Sequence, residues 1–244
     1  MGGRITRMRS TLAFIFLVTI SSNATAQIAS FLVPLLPAQN VPGAQGSLWS
    51  TDLVIENSSD HNVFLQQDSC FVCGRPPIGS VVNVPPHATI TNPALEPLIS
   101  AGTMLYTAQA DADAIRFHLR VRDMSRPEET FGTEIPVVSG AAFRSAIRLI
   151  DVPTDPRFRV TLRIYSPGIA QATVTVLPPN GVVPLRTLQV PLNRGVALLD
   201  PVSGLAEPSV RLVIDNGGSP FTLWAFASVT NNDTQDVTTI TESR

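Results

Sequence analysis

The sequence predicts an all-β protein, two tandem antiparallel β-sandwich units behind an N-terminal signal peptide. Three observations carry that expectation. Short runs alternate apolar and polar residues with a period of two, the spacing of a strand with one face in a core and one in water. The 244 residues include 21 prolines and 15 glycines. Scattered prolines would break a long helix and cannot donate to a sheet ladder, and no stretch beyond the first segment sustains a helical period for three turns. Blocks in the second half also echo, in the same order, blocks in the first.

The first segment is an address. Residues 1–26 open with Arg4, Arg7 and Arg9, continue as an apolar run from Thr11 to Ile20, and end in Ala24-Thr25-Ala26. That layout is a secretory signal peptide with cleavage before Gln27. About ten apolar residues make roughly 15 Å of helix, half of a hydrocarbon core, too little to span a bilayer. No Cys follows the run to carry a lipid, and no later segment reaches 18 uninterrupted apolar residues, so no membrane span is expected in the mature chain. All 17 basic residues are Arg. Three leave with the signal, so 14 remain against 19 acids, a net charge of −5. That balance offers nucleic acid no basic field. With 44% apolar and only 15% charged residues, wholesale disorder is excluded too.

Strands are predicted in a first unit (27–138) at 53–55, 81–84, 104–108 and 115–121. In a second unit (139–244) they fall at 145–150, 159–165, 172–177, 187–190, 210–214 and 221–229. The clearest is 159–165. There Val160, Leu162 and Ile164 share a core face, while Arg159, Thr161, Arg163 and Tyr165 share a face read as wet. Beyond Thr173-Val174-Thr175-Val176, the run Pro178-Pro179-Asn180-Gly181 supplies a turn. Many short strands at this spacing argue for antiparallel sandwiches over βαβ units.

The repeat lays Trp49 to Asn57 over Phe143 to Asp151, and Val84 to Ile90 over Val190 to Val196. It also lays Leu119 to Ser125, running on to Thr133-Glu134-Ile135, over Trp224 to Thr230, running on to Thr238-Thr239-Ile240. The boundary falls near Ser139-Gly140.

The opening block Pro42-Gly43-Ala44, then Leu48-Trp49-Ser50-Thr51-Asp52-Leu53 on to Asn57, resembles a recurrent secreted domain of soil bacteria. The closing block Ala225-Phe226-Ala227-Ser228-Val229 on to Asn231, Thr234 and Asp236 is similar to the same family's ending. Thr230 and Asn231 depart from it, standing where the family usually shows Val and Asp. The family comprises uncharacterised secreted bacterial tandem β-sandwich (Ig-like) proteins. The resemblance implies architecture and location, and no activity.

Few residues could carry chemistry. Cys70 and Cys73 form the one C-x-x-C, without the strand-to-helix setting of a redox centre or the two further ligands of a zinc site. In an exported chain they are read as a small structural disulfide, with free thiols or a metal as the alternatives. His61, His87 and His118 lie beside no recognisable nucleophile motif. Asp111-Ala112-Asp113 and the stretch from Asn231 to Asp236 are rich in oxygen, as calcium ligands are. They lack the EF-hand order, and turn chemistry accounts for them. Trp49 and Trp224 are read as core residues, the alternative being a sugar-stacking platform. Arg116, Arg120 and Arg122 form an outward face that guards a strand against pairing or grips an anion. No catalytic, cofactor or metal site is therefore expected. The expected function is non-catalytic adhesion, recognition or scaffolding at or beyond the cell surface, periplasmic or secreted, toward a protein or polysaccharide partner. A secreted hydrolase with an atypical site and a carbohydrate-binding module are the alternatives.

Overall fold

The computed structural model describes residues 27–68, 80–95, 102–126 and 131–242. The signal peptide expected over 1–26 and the Cys70–Cys73 pair lie outside the described residues. Among those residues no helix is long and apolar enough to cross a membrane.

Ten strands precede Gly140: β1 (Ile28–Val33), β2 (Ala38–Pro42), β3 (Leu48–Asn57), β4 (Val63–Asp68), β5 (Val81–Val84), β6 (Thr89–Thr91), β7 (Thr103–Ala108), β8 (Ile115–Asp123), β9 (Thr133–Ile135) and β10 (Val138–Ser139). Eight follow: β11 (Ala146–Pro153), β12 (Phe158–Tyr165), β13 (Gln171–Leu177), β14 (Arg186–Pro191), β15 (Val196–Leu199), β16 (Ser209–Asp215), β17 (Trp224–Asn231) and β18 (Val237–Ile240). The first set forms one sheet in the order β10-β1-β7-β4-β5 and another in the order β2-β3-β8-β9, with β6 also paired to β3. The second set forms β11-β16-β13-β14 and β15-β12-β17-β18. Every pairing is antiparallel, and no sheet mixes the two sets. The fold is all-β, as the alternation and proline punctuation predict.

Without β2 and β10, the first set reads β1-β7-β4-β5 over β6-β3-β8-β9. The second reads β11-β16-β13-β14 over β15-β12-β17-β18, the same arrangement strand for strand. This corrects the repeat in two places. Trp49 to Asn57 is β3, whose counterpart is β12, whereas the sequence overlay set it on β11. The overlay of Leu119 on Trp224 joins the right strands in the wrong phase. Leu119 points into the first core, but Trp224 points away from the second, and a slip of one residue exchanges the faces of a strand.

Each unit has its own apolar interior. In the second, Ile147, Leu149, Val174, Val176, Leu212 and Ile214 from one sheet meet Val160, Leu162, Ile164, Ala225, Ala227 and Val229 from the other. In the first, Leu32, Leu65 and Leu105 meet Leu53, Ile55 and Leu119. That first cluster continues into the second unit through Phe143, Tyr165, Trp224 and Phe226. Tyr165, Trp224 and Phe226 occupy the face of β12 and β17 turned away from their own sandwich. Tyr165 lies parallel to Phe226 at a centroid distance of 6.5 Å, and Trp224 lies 5.2 Å from Phe226. The buried Tyr165 hydroxyl donates to the Pro34 carbonyl at 2.8 Å. The face read as wet therefore carries an aromatic row at its Tyr165 end, and the first unit covers that row.

Burial pushes the Tyr165 phenol up to about 12, against the pull of the neighbouring Arg163 cation. Because the folded value lies above the unfolded one, this contribution to stability is complete below pH 10 and is lost as pH rises toward 12. In an absorbance titration of tyrosinate, one phenol should stay protonated at pH 11 in the folded protein, and Y165F should remove that late component. The substitution should cost about 1 kcal/mol in denaturant unfolding. F226A, which leaves a cavity between the units, should cost about 3–5 kcal/mol.

Candidate functional site

The aromatic row fills only one end of the interface. Further along the same face, pairing sets Arg163 beside Phe226, Thr161 beside Ser228, and Arg159 beside Thr230. Val237 follows as the next neighbour of Thr230. These rungs floor a cleft of about 580 Å³, within the range of small-molecule sites. Its roof is the inner face of the first unit's long strands, where Trp49, Thr51, Val121 and Ile135 run on from the core residues Leu53 and Leu119. The connection Leu35-Leu36-Pro37, with Ala38 and Val41 of β2, walls one side.

Trp49 owes its place to Gly43. A Cβ there would lie 2.6 Å from Cδ1 of the indole, so the ring can rest on the β2–β3 turn only because position 43 is glycine. The Pro42-Gly43-Ala44 block thus has a local physical cause.

The flank at the far end is polar. Burial pushes the Asp123 carboxyl up, but the Leu48 amide at 2.8 Å, the Ser125 hydroxyl and amide, and the Arg126 cation outweigh it and hold the group below the usual range. Arg126 in turn donates to the carbonyls of Asp233 and Thr234. Thr133 donates to the carbonyl of Val237, and Gln235 to the side chain of Gln45 at 2.9 Å. A smaller cavity of about 250 Å³, sharing Trp49, Val121 and Val237 with the cleft, lies there.

Among the described residues no acid lines the cleft. Arg163 and Arg159 have no ion pair among the described residues, and Arg163 Nε is buried with no hydrogen-bond partner. Among the described residues five buried side-chain atoms have no hydrogen-bond partner, and four of them (Arg163 Nε, Arg122 Nε, Gln235 Oε1 and Asp123 Oδ2, the last still 3.6 Å from Arg126) belong to residues lining these two cavities. Buried polar groups are ordinarily satisfied, so their concentration here marks a place where something can bind.

The structure distributes the other candidate residues elsewhere. His61 lies between Asp60 and Asp111, 3.1 and 2.9 Å away. His87 occupies the β5–β6 turn with φ 51°, and His118 stands on the opposite face of β8, 3.7 Å from Glu134. None of the three lines the cleft. On that opposite face Arg122 pairs with Asp52 at 2.9 Å, and Arg120 and Arg116 stand across from Asp52 and Glu56. The Asn231 to Asp236 stretch is a turn in which the Asn231 side chain accepts the amides of Asp233 and Thr234. Among the described residues no group of three or more His, Cys, Asp or Glu is placed to hold a metal. Trp224 is buried and Trp49 half-buried in the cleft roof, so the two make no exposed platform.

Sequence reasoning missed Arg159 and Arg163, setting them in water. The signal was there: Tyr165 shares their face, and an aromatic on a supposedly wet face asks to be covered.

Hydrogen bonds that the His61 ring donates to Asp111, and then to Asp60, raise it above its ordinary value. The contribution of this contact to stability is therefore complete below pH 6.5 and is lost as pH rises through the folded value. An NMR titration of the His61 ring should give a midpoint above 6.5, and D111N should move it back down. No protein-family model, curated protein or solved structure matches the chain.

Proposed function

We propose that this chain is an exported, non-catalytic recognition protein whose binding site is the cleft between its two sandwiches. The observation that carries the reading is that cleft, about 580 Å³, lined by aromatic and aliphatic side chains, hydroxyls and two arginines that have no acidic partner among the described residues. Largely apolar concavities with a few convergent polar groups are what small-molecule and short-chain ligands occupy. The signal-peptide layout of residues 1–26, and the resemblance of the opening and closing blocks to secreted bacterial β-sandwich proteins, support the location. Adhesion or scaffolding would follow from what the bound partner is attached to.

The neutral dye N-phenyl-1-naphthylamine tests the site. It should bind the folded protein with enhanced fluorescence, and S228F or T161F, which fill the cleft floor, should abolish that signal while near-ultraviolet circular dichroism stays native. A protein that leaves the dye dark, or variants that bind it equally well, would sink the cleft reading. The location is tested separately. Expressed with its leader in a bacterial host, the protein should appear outside the cytoplasm with Gln27 as its first residue.

A further inference from the structure

We infer that the cleft selects amphipathic carboxylates, ligands with an apolar body and one terminal acid group, and that Arg163 receives the acid. The inference rests on the cleft being the binding site and specifies what it takes. Outside the cleft, the charge clusters already hold their own counter-charges. His61 has Asp60 and Asp111, Arg122 has Asp52, and Arg157 has Asp155 at 2.9 Å. Among the described residues the cleft is lined by two arginines and no acid, whereas the smaller cavity beside it holds Asp123 and Asp236.

Position strengthens the case. Arg163 stands at the boundary between the buried aromatic row and the open floor, with Phe226 beside it on β17. An anion there would meet a guanidinium that interacts with the Tyr165 phenol and keeps its Nε buried and unpartnered. A charge-assisted hydrogen bond in such a place is among the stronger polar contacts available, and a planar carboxylate matches the donor fork of arginine. Arg159, four residues earlier on the same strand face, lies about 13 Å along the strand. It therefore sits nearer the polar flank and does not share the same head group. Between them the Thr161 and Ser228 rung can accept or donate to any amide of the ligand. Leu35, Val41 and Trp49 supply the apolar wall against which the body lies. A fatty acid and the C-terminus of an apolar peptide both present this chemistry.

Displacement of the neutral dye from the full mature protein tests the selectivity. Decanoate is compared with decanol, and acetyl-Leu-Phe as its free acid with the same dipeptide as its amide. Each acid should displace the dye about tenfold more tightly than its uncharged counterpart. Which acid shows the larger advantage separates the fatty-acid source from the peptide source. R163Q should erase the advantage while the dye still binds, R163K should restore part of it through charge alone, and R159Q should change it less. Equal displacement by acid and neutral ligand, or an advantage that survives R163Q, overturns the inference while leaving the cleft reading intact. If the dye does not bind, both fall together. If R163Q fails to fold, the ionic-strength dependence of the wild-type preference decides, since a carboxylate–guanidinium contact weakens with salt and an apolar one does not.

Discussion

The structure depends on covering one aromatic row. Tyr165, Trp224 and Phe226 project from the second sandwich on the side away from its own core. Exposed, they would form an apolar patch of the kind that drives association. Covered, each contributes roughly 2–3 kcal/mol, and the cover is the first unit. Much around the junction reads as a consequence of that need. The Pro34 carbonyl is placed to take the Tyr165 hydroxyl. Phe143, in the segment between β10 and β11, joins the same cluster. The small residues Ala225 and Ala227 fill the inner side of β17, leaving bulk to the outer side.

The cleft follows from where the row stops. Beyond Phe226 the face carries Arg163, Thr161 and Arg159, with Ser228 and Thr230 as cross-strand neighbours and no acid among them. A guanidinium cannot be sealed in a dry interface without a partner at acceptable cost. The two faces accordingly meet tightly over the aromatic half and stand apart over the cationic half. The first unit disposes its arginines differently. On β8 the arginines lie on the opposite face, across from Asp52 and Glu56 of β3, and are neutralised where they stand. In the second unit the arginines without an ion pair stand on β12, on the face turned toward the first unit.

Most of the fold was legible in the sequence because period-two alternation is a local signal. The strands 81–84, 115–121, 159–165 and 172–177 were all visible in it. Those that went unseen lack the alternation. β1, Ile-Ala-Ser-Phe-Leu-Val, is nearly continuous in apolar character, and β15, Val-Ala-Leu-Leu, is entirely so. β6 is three residues held only by pairing to β3. The repeat was seen, but its first block was misplaced because an aromatic followed by polar residues opens more than one strand in a sandwich. The site was the least legible part. Alternation assigns two faces, and a sequence names one of them solvent by default. That this face of β12 would meet another unit depends on long-range packing, which no local pattern encodes.

The geometry also bears on how a ligand would be received. The cleft is pinned at both ends, by Tyr165 on Pro34 at one and by Arg126, Thr133 and Gln235 at the other. Interfaces between domains of one chain are commonly polar and allow relative motion. Here an aromatic cluster and a set of cross-unit hydrogen bonds bracket the gap, so opening it as a hinge would expose the row that holds the units together. A ligand therefore meets walls already in place and loses little affinity to ordering them. Discrimination between ligands then rests on fixed groups, above all on whether a candidate brings an acid to the unpartnered Arg163 Nε. A neutral ligand of the same shape would bring that group no acceptor.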